Sequence, residues 1–148
     1  MKISSKGRYA LASLITMAQG AGQGENVTLL ALSQRLGISK IYLEQVFALL
    51  KRSGLVSSVK GAQGGYRLSR PAQEISAHDI LAATETTLLE ETEDTVGETA
   101  PGVEKAMRDT LFAPMGLALE EAMRQVSLWD LVQEAEKEAG DGGYMYYV

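Results

Sequence analysis

From Thr28 to Leu68 the chain reads TLLALSQRLGISKIYLEQVFALLKRSGLVSSVKGAQGGYRL, and the fold turns on this stretch. Thr28 stands where an N-cap belongs, ahead of Leu29, Leu30, Leu32 and Leu36, and Gly37 supplies the left-handed residue that ends a helix. After the step Gly37-Ile38, Ser39 is placed to cap the next helix. That helix carries Leu43, Val46, Phe47 and Leu50 on one side until Ser53-Gly54 stops it. The result is helix, tight turn, helix. Two short strand candidates follow, 55–59 and 66–69, joined by Lys60-Gly61-Ala62-Gln63-Gly64-Gly65, whose glycines permit a tight reversal. This hairpin reads as a wing.

Upstream, Tyr9, Leu11, Ala12, Leu14, Ile15 and Ala18 recur with helical spacing and end in the loop Gly20 to Gly24. Downstream, Ser76 caps a fourth helix through Ile80, Leu81 and Ala83, and an acidic, apolar-poor loop with little expected order follows. Pro101 suits the first turn of a further helix, in which Pro114 and Gly116 predict a kink or break near Ala113. Ser127 caps a last helix, for which Gly140 is the expected stop. The fold expected is mainly α with a small β-wing. The chain divides into a winged helix-turn-helix at 1–84, an acidic loop at 85–100, a helical dimerisation region at 101–140 and an aromatic tail at 141–148.

Charge is divided as sharply as structure. The first 72 residues hold ten Lys or Arg against only Glu25 and Glu44, a balance of +8. With a net charge of −5 overall, −13 is left for the rest. No run approaches the ~18 apolar residues of a membrane span, and the opening Met1 to Gly7 lacks the apolar stretch of a signal peptide, so a cytoplasmic protein is expected. The chain has no cysteine, which removes thiolate-held zinc, iron–sulfur clusters and thiol chemistry. No cofactor is expected. One histidine, His78, and no phosphate loop or nucleophile with its base leave nothing on which to build an enzyme. The acidic run from Glu90 to Glu98 has no calcium-loop spacing and reads as a solvated segment.

A helix after a tight turn can enter the major groove of DNA if its N-terminal side chains are polar and its other face packs on the preceding helices. Lys40, Ile41, Tyr42, Glu44 and Gln45 satisfy this, with Glu44 able to accept from cytosine and Gln45 to pair with adenine. Lys51 and Arg52 lie near the helix end, where phosphate contacts would position the domain. Lys60, Gly61 and Gln63 offer the wing to the adjacent minor groove or backbone. The capping residues Thr28 and Ser39 complete the contact set. Taken singly, each has an ordinary structural role; Tyr42, for one, can be a half-buried core aromatic. The conjunction with a basic front half favours DNA. Two copies are expected, because one winged helix covers little DNA, and Val103, Met107, Leu111, Leu119 and Met123 exceed what the small core can cover.

Lys6-Gly7-Arg8-Tyr9, Tyr42-Leu43-Glu44-Gln45, Gly54-Leu55-Val56 and Gly61-Ala62-Gln63-Gly64-Gly65-Tyr66 resemble the signature of the Rrf-two family of bacterial regulators over about the first eighty residues. The resemblance implies a dimeric winged-helix regulator whose recognition helix enters the major groove and whose wing enters the minor groove, with contact roles for Arg8, Ile41, Tyr42, Glu44, Gln45, Lys60 and Gly61; two copies would read a palindromic operator as a repressor. Members that hold a cluster use three cysteines between the fourth helix and the dimerisation helix, where this chain has none. The opening Met1-Lys2-Ile3-Ser4 and the closing Gly143-Tyr144-Met145-Tyr146-Tyr147-Val148 are similar to the family's repressors of cysteine metabolism. For that group the implied co-repressor is the cysteine synthase O-acetylserine sulfhydrylase, and Tyr146, Tyr147 and Val148 are the expected segment for its cleft. A regulator of another pathway with a different effector, or an adaptor that does not bind DNA, remain the alternatives.

Overall fold

A computed structural model describes residues 1–19, 25–61 and 64–147, with the backbone alone for 141–147. Helix α1, Ser5–Ala18, starts earlier than its apolar pattern announced, because the Ser4 hydroxyl accepts from the Gly7 N–H. Helices α2, Leu29–Leu36, and α3, Lys40–Arg52, flank the tight turn, and Gly37 sits at φ 68° as the left-handed stop. The Thr28 hydroxyl accepts from Ala31 N–H at 3.1 Å, whereas Ser39 holds the N-cap position of α3 without a side-chain bond. Strands β1, Val56–Ser58, and β2, Tyr66–Leu68, pair antiparallel, with Val56 opposite Leu68. Val27 bridges the other edge of β2: it exchanges both backbone hydrogen bonds with Tyr66, each at 2.8 Å.

One core collects α1, α2, α3, the hairpin and α4, Ala77–Thr84, around Leu14, Leu32, Leu43, Phe47, Leu50 and Ile80. It also takes in the start of α7, Leu128–Tyr147, where Leu128 and Val132 are fully buried. Backbone bonds from Leu128 to Ile75 and from Ala77 to Val126 stitch α7 to the segment before α4. Part of the 101–140 stretch, expected as the helical dimerisation region, therefore also packs into the N-terminal core. Reciprocal capping boxes, Ser76 with Asp79 and Ser127 with Asp130, start α4 and α7.

Three expectations are corrected. The helix after Pro101 does not break near Ala113. Helix α5, Pro101–Met107, continues through a π-turn, Arg108–Phe112, into α6, Ala113–Arg124. The Ala113 N–H donates to Arg108 O, five residues back, just before Pro114, whose ring has no N–H and crowds the preceding turn. Gly140 does not end α7, which runs on to Tyr147. Gly140 stays out of the left-handed region, because continuing costs only about 1 kcal/mol for a glycine while each further turn keeps its backbone bonds. The 141–147 part of the expected tail is thus helical, and Val148 lies outside the described residues.

The acidic loop, too, is held. Glu104, buried in the first turn of α5, accepts N–H bonds from Val96 at 2.8 Å and Thr95 at 3.1 Å. The Val96 N–H bond, with that from Thr95 and the nearby Arg108 charge, outweighs burial and holds its carboxyl below the usual glutamate value. A depressed carboxyl pKa stabilises the folded loop above the unfolded value and loses that effect as pH falls through the folded one. The amide resonances of Thr95 and Val96 should therefore titrate together, with a midpoint below the ordinary ~4.3, and lose that transition in Glu104→Gln. A midpoint at the ordinary value would show that Glu104 does not hold the loop.

Candidate nucleic-acid interface

Helix α3 separates its faces cleanly. Leu43, Val46, Phe47 and Leu50 are fully buried, and Ile41, Glu44, Gln45 and Ala48 form an exposed stripe at i, i+3, i+4 and i+7. Lys40 and Ser39 are exposed at its N-terminal end, and Lys51 and Arg52 at the other. The Lys40 ammonium lies 3.8 Å from Glu44. Both side chains are more than half exposed, so the pair is worth only a few tenths of a kcal/mol and leaves Glu44 able to exchange partners.

Tyr42 is half-buried and meets Tyr9 of α1 edge to face, ring centroids 5.1 Å apart. The packed ring braces α3 against α1, and the side chain stays partly exposed beside the stripe. Phe47 and Tyr66, 4.9 Å between ring centroids, brace α3 against β2 in the same way. Thr28, Leu30, Lys40, Glu44, Gly65 and Tyr66 border an open groove of about 700 Å³, where the starts of α2 and α3 meet the root of the wing. While the Thr28 oxygen accepts from Ala31, its own proton can still be donated into this groove.

In the wing, Lys60 and Gly61 are exposed, and Gly64 N–H donates to Gly61 O at 3.2 Å. Gln63 lies outside the described residues. Arg8 is exposed on α1 with its guanidinium on Ser5 Oγ at 3.0 Å. Of the ten cations before residue 73, only Lys40 and Arg70 pair with a carboxylate among the described residues. The others have no carboxylate within 4 Å among the described residues, and an excess of unpaired cations is the footprint of a polyanion partner. Sequence reading gave no role to four of them, Lys2, Lys6, Arg35 and Arg67, of which Arg67 lies in the wing. It is exposed in the middle of β2, and the alternation Tyr66 inward, Arg67 outward, Leu68 inward was the signal that could have found it.

The candidate dimer face is also redrawn. Met123 is only 6% exposed and belongs to the chain's own core side, on the face that also buries Glu104. Leu119 and Met107 are half-buried. Val103, Leu111 and Met115 are left exposed along α5 and α6. The π-turn explains why both sets stay aligned. Glu104 and Met123 are 19 residues apart, about 100° out of phase in a plain α-helix. Absorbing one residue in the π-turn leaves about five whole turns.

The family profile described as "Rrf2: Iron-dependent Transcriptional regulator" matches residues 3–134. The HTH-type transcriptional regulator IscR of Cereibacter sphaeroides is 47% identical over 89 residues, which span 60% of this chain and 57% of that relative. The IscR of Pectobacterium atrosepticum is 33% identical over 136 residues, 92% of this chain and 82% of that one. Among solved structures, CymR (YrzC), the global cysteine regulator of B. subtilis, superposes with a TM-score of 0.73 at 32% identity, covering 90% of this chain and 98% of that one. The T. potens IscR does so with a TM-score of 0.73 at 33% identity, covering 99% and 97%. The residues present do not fit a thiolate-held iron centre: the chain has no cysteine, and no group of three or more His, Asp or Glu among the described residues is placed to hold a metal.

Proposed function

This chain belongs to the Rrf2 family of transcriptional regulators, and from that premise we propose that it is a homodimeric repressor of a palindromic operator. The observation that carries the reading is the exposed stripe of α3, backed by a rigid core, with Lys40 weakly paired at one end and Lys51 and Arg52 outside any ion pair among the described residues at the other. In this reading Glu44 and Gln45 meet base edges in the major groove, and Ser39, Lys40, Lys51 and Arg52 take phosphates at either end. Lys60, with Gly61, follows the adjacent minor groove, while Arg8, Arg67 and the Thr28 hydroxyl steady the domain on the backbone. Two copies join through the face of Val103, Leu111 and Met115, so that protein and operator share a twofold axis.

For the regulated genes we infer cysteine and sulfur metabolism, with O-acetylserine sulfhydrylase as co-repressor engaging Tyr146, Tyr147 and Val148. The likeness to the B. subtilis cysteine regulator and the lack of cysteine ligands for a cluster support this. Genomic fragments selected on the purified protein at moderate salt, with and without the sulfhydrylase, test both levels. Palindromic sites near sulfur-assimilation genes, retained better with the enzyme and no better once residues 146–148 are deleted, are the expected result. Palindromes elsewhere, indifferent to the enzyme, would discard the pathway. No enrichment at any salt would discard the repressor, since a DNA-binding regulator gains affinity steeply as salt falls.

A further inference from the structure

We propose that Ile41 reads the 5-methyl group of thymine and thereby fixes one T·A pair in each half-site of the operator, an inference that rests on the DNA-binding reading above. Ile41 is the second residue of α3 and is 70% exposed, while Leu43, Val46, Phe47 and Leu50 of the same helix are wholly buried. Nothing in helix formation asks for it there, since a β-branched residue is a poorer helix former than the lysine or glutamate that usually fills an exposed position. The stripe around it is otherwise built for polar recognition. Lys40 and Glu44 pair on either side of Ile41, and Gln45 follows.

An apolar side chain at the N-terminal end of a recognition helix meets base edges. Among the groups that base pairs display in the major groove, the thymine methyl is the apolar one; the others are hydrogen-bond donors and acceptors. The Ile41 side chain has no atom that can serve those, so its contact with any other pair leaves their bonds unmade. A protein partner at this spot would have to be tolerated by Lys40, Lys51 and Arg52 on the same helix, which suits a polyanion better.

Selection from random duplexes with the wild-type chain and with Ile41→Ala, followed by single-site substitution of deoxyuridine for thymidine, tests this. Deoxyuridine removes the methyl and keeps every hydrogen-bonding group, and Ile41 is exposed, so the protein's folding is not at issue. The expected result is a thymine at one symmetric position of the wild-type consensus, an affinity loss of about four-fold when that base becomes deoxyuridine, and no such loss for Ile41→Ala. A wild type indifferent to deoxyuridine at every thymine, or an Ile41→Ala consensus unchanged from wild type, would overturn the inference and leave the repressor standing. If no duplex is enriched by the wild type, the DNA-binding reading fails and this inference fails with it.

Discussion

Gly65→Ala should lower the melting temperature by about 10 °C and open the root of the wing, from a cost of about 3–4 kcal/mol. Gly65 holds φ at 113°, which side chains rarely adopt, and a Cβ built there lies 2.8 Å from Val27 O and 3.1 Å from Val27 C. Those are backbone atoms and cannot swing aside. Val27 O is the acceptor for Tyr66 N–H, so relief of the clash breaks the Val27–Tyr66 pair that anchors the hairpin. Gly64→Ala supplies the comparison. Its φ is 60° and the nearest atom to an added Cβ is 4.0 Å away, so it should cost only about 1–2 kcal/mol for the left-handed backbone. Thermal unfolding of the two variants decides: equal losses would mean that close approach to Val27 is not what requires a glycine at 65. The Gly65 variant should also lose operator affinity, because Phe47 and Tyr66 tie β2 to α3.

The second large effect concerns assembly. Leu111→Asp should convert the protein to a monomer in sedimentation and reduce operator affinity by about 100-fold or more, since two linked half-site contacts become two independent ones. A single aspartate suffices because it buries an unpaired charge in an apolar seam. Leu117→Asp is the informative control. Leu117, at 69%, is more exposed than Leu111, at 52%, yet it stands two residues past Met115, roughly 200° around the helix. It should leave the dimer intact. Dissociation by the Leu117 variant and not the Leu111 variant would place the seam on the opposite side and remove the reason given for the π-turn.

Much of this molecule was legible in the sequence because its punctuation is local. Thr28 and Gly37 bound α2, Ser76 and Ser127 begin α4 and α7, and the buried series Leu43, Val46, Phe47, Leu50 orients α3, each through bonds or spacings within one or two turns. The division of charge between the halves needs only counting. What was not legible depends on residues distant in the chain. Tyr42 has the spacing of a contact residue, and only the approach of α1 turns its ring to Tyr9.

Pro114 announces a disturbance without choosing among kink, break and π-turn. That choice belongs to the packing, in which Glu104 and Met123, 19 residues apart, are both buried, a spacing that the π-turn brings to about five whole turns. Glu104 itself reads as an ordinary first-turn acid, and becomes a buried anchor only because the loop returns the Val96 and Thr95 amides to it. Gly140 is equally ambiguous alone, since glycine permits a left-handed stop and does not impose one. The sequence by itself determined the helix-turn-helix, the wing and the basic face, because caps, periodicity and charge are properties of neighbours. The tertiary structure alone decided which apolar residues stay outside, because burial is settled by whatever else packs into the same space.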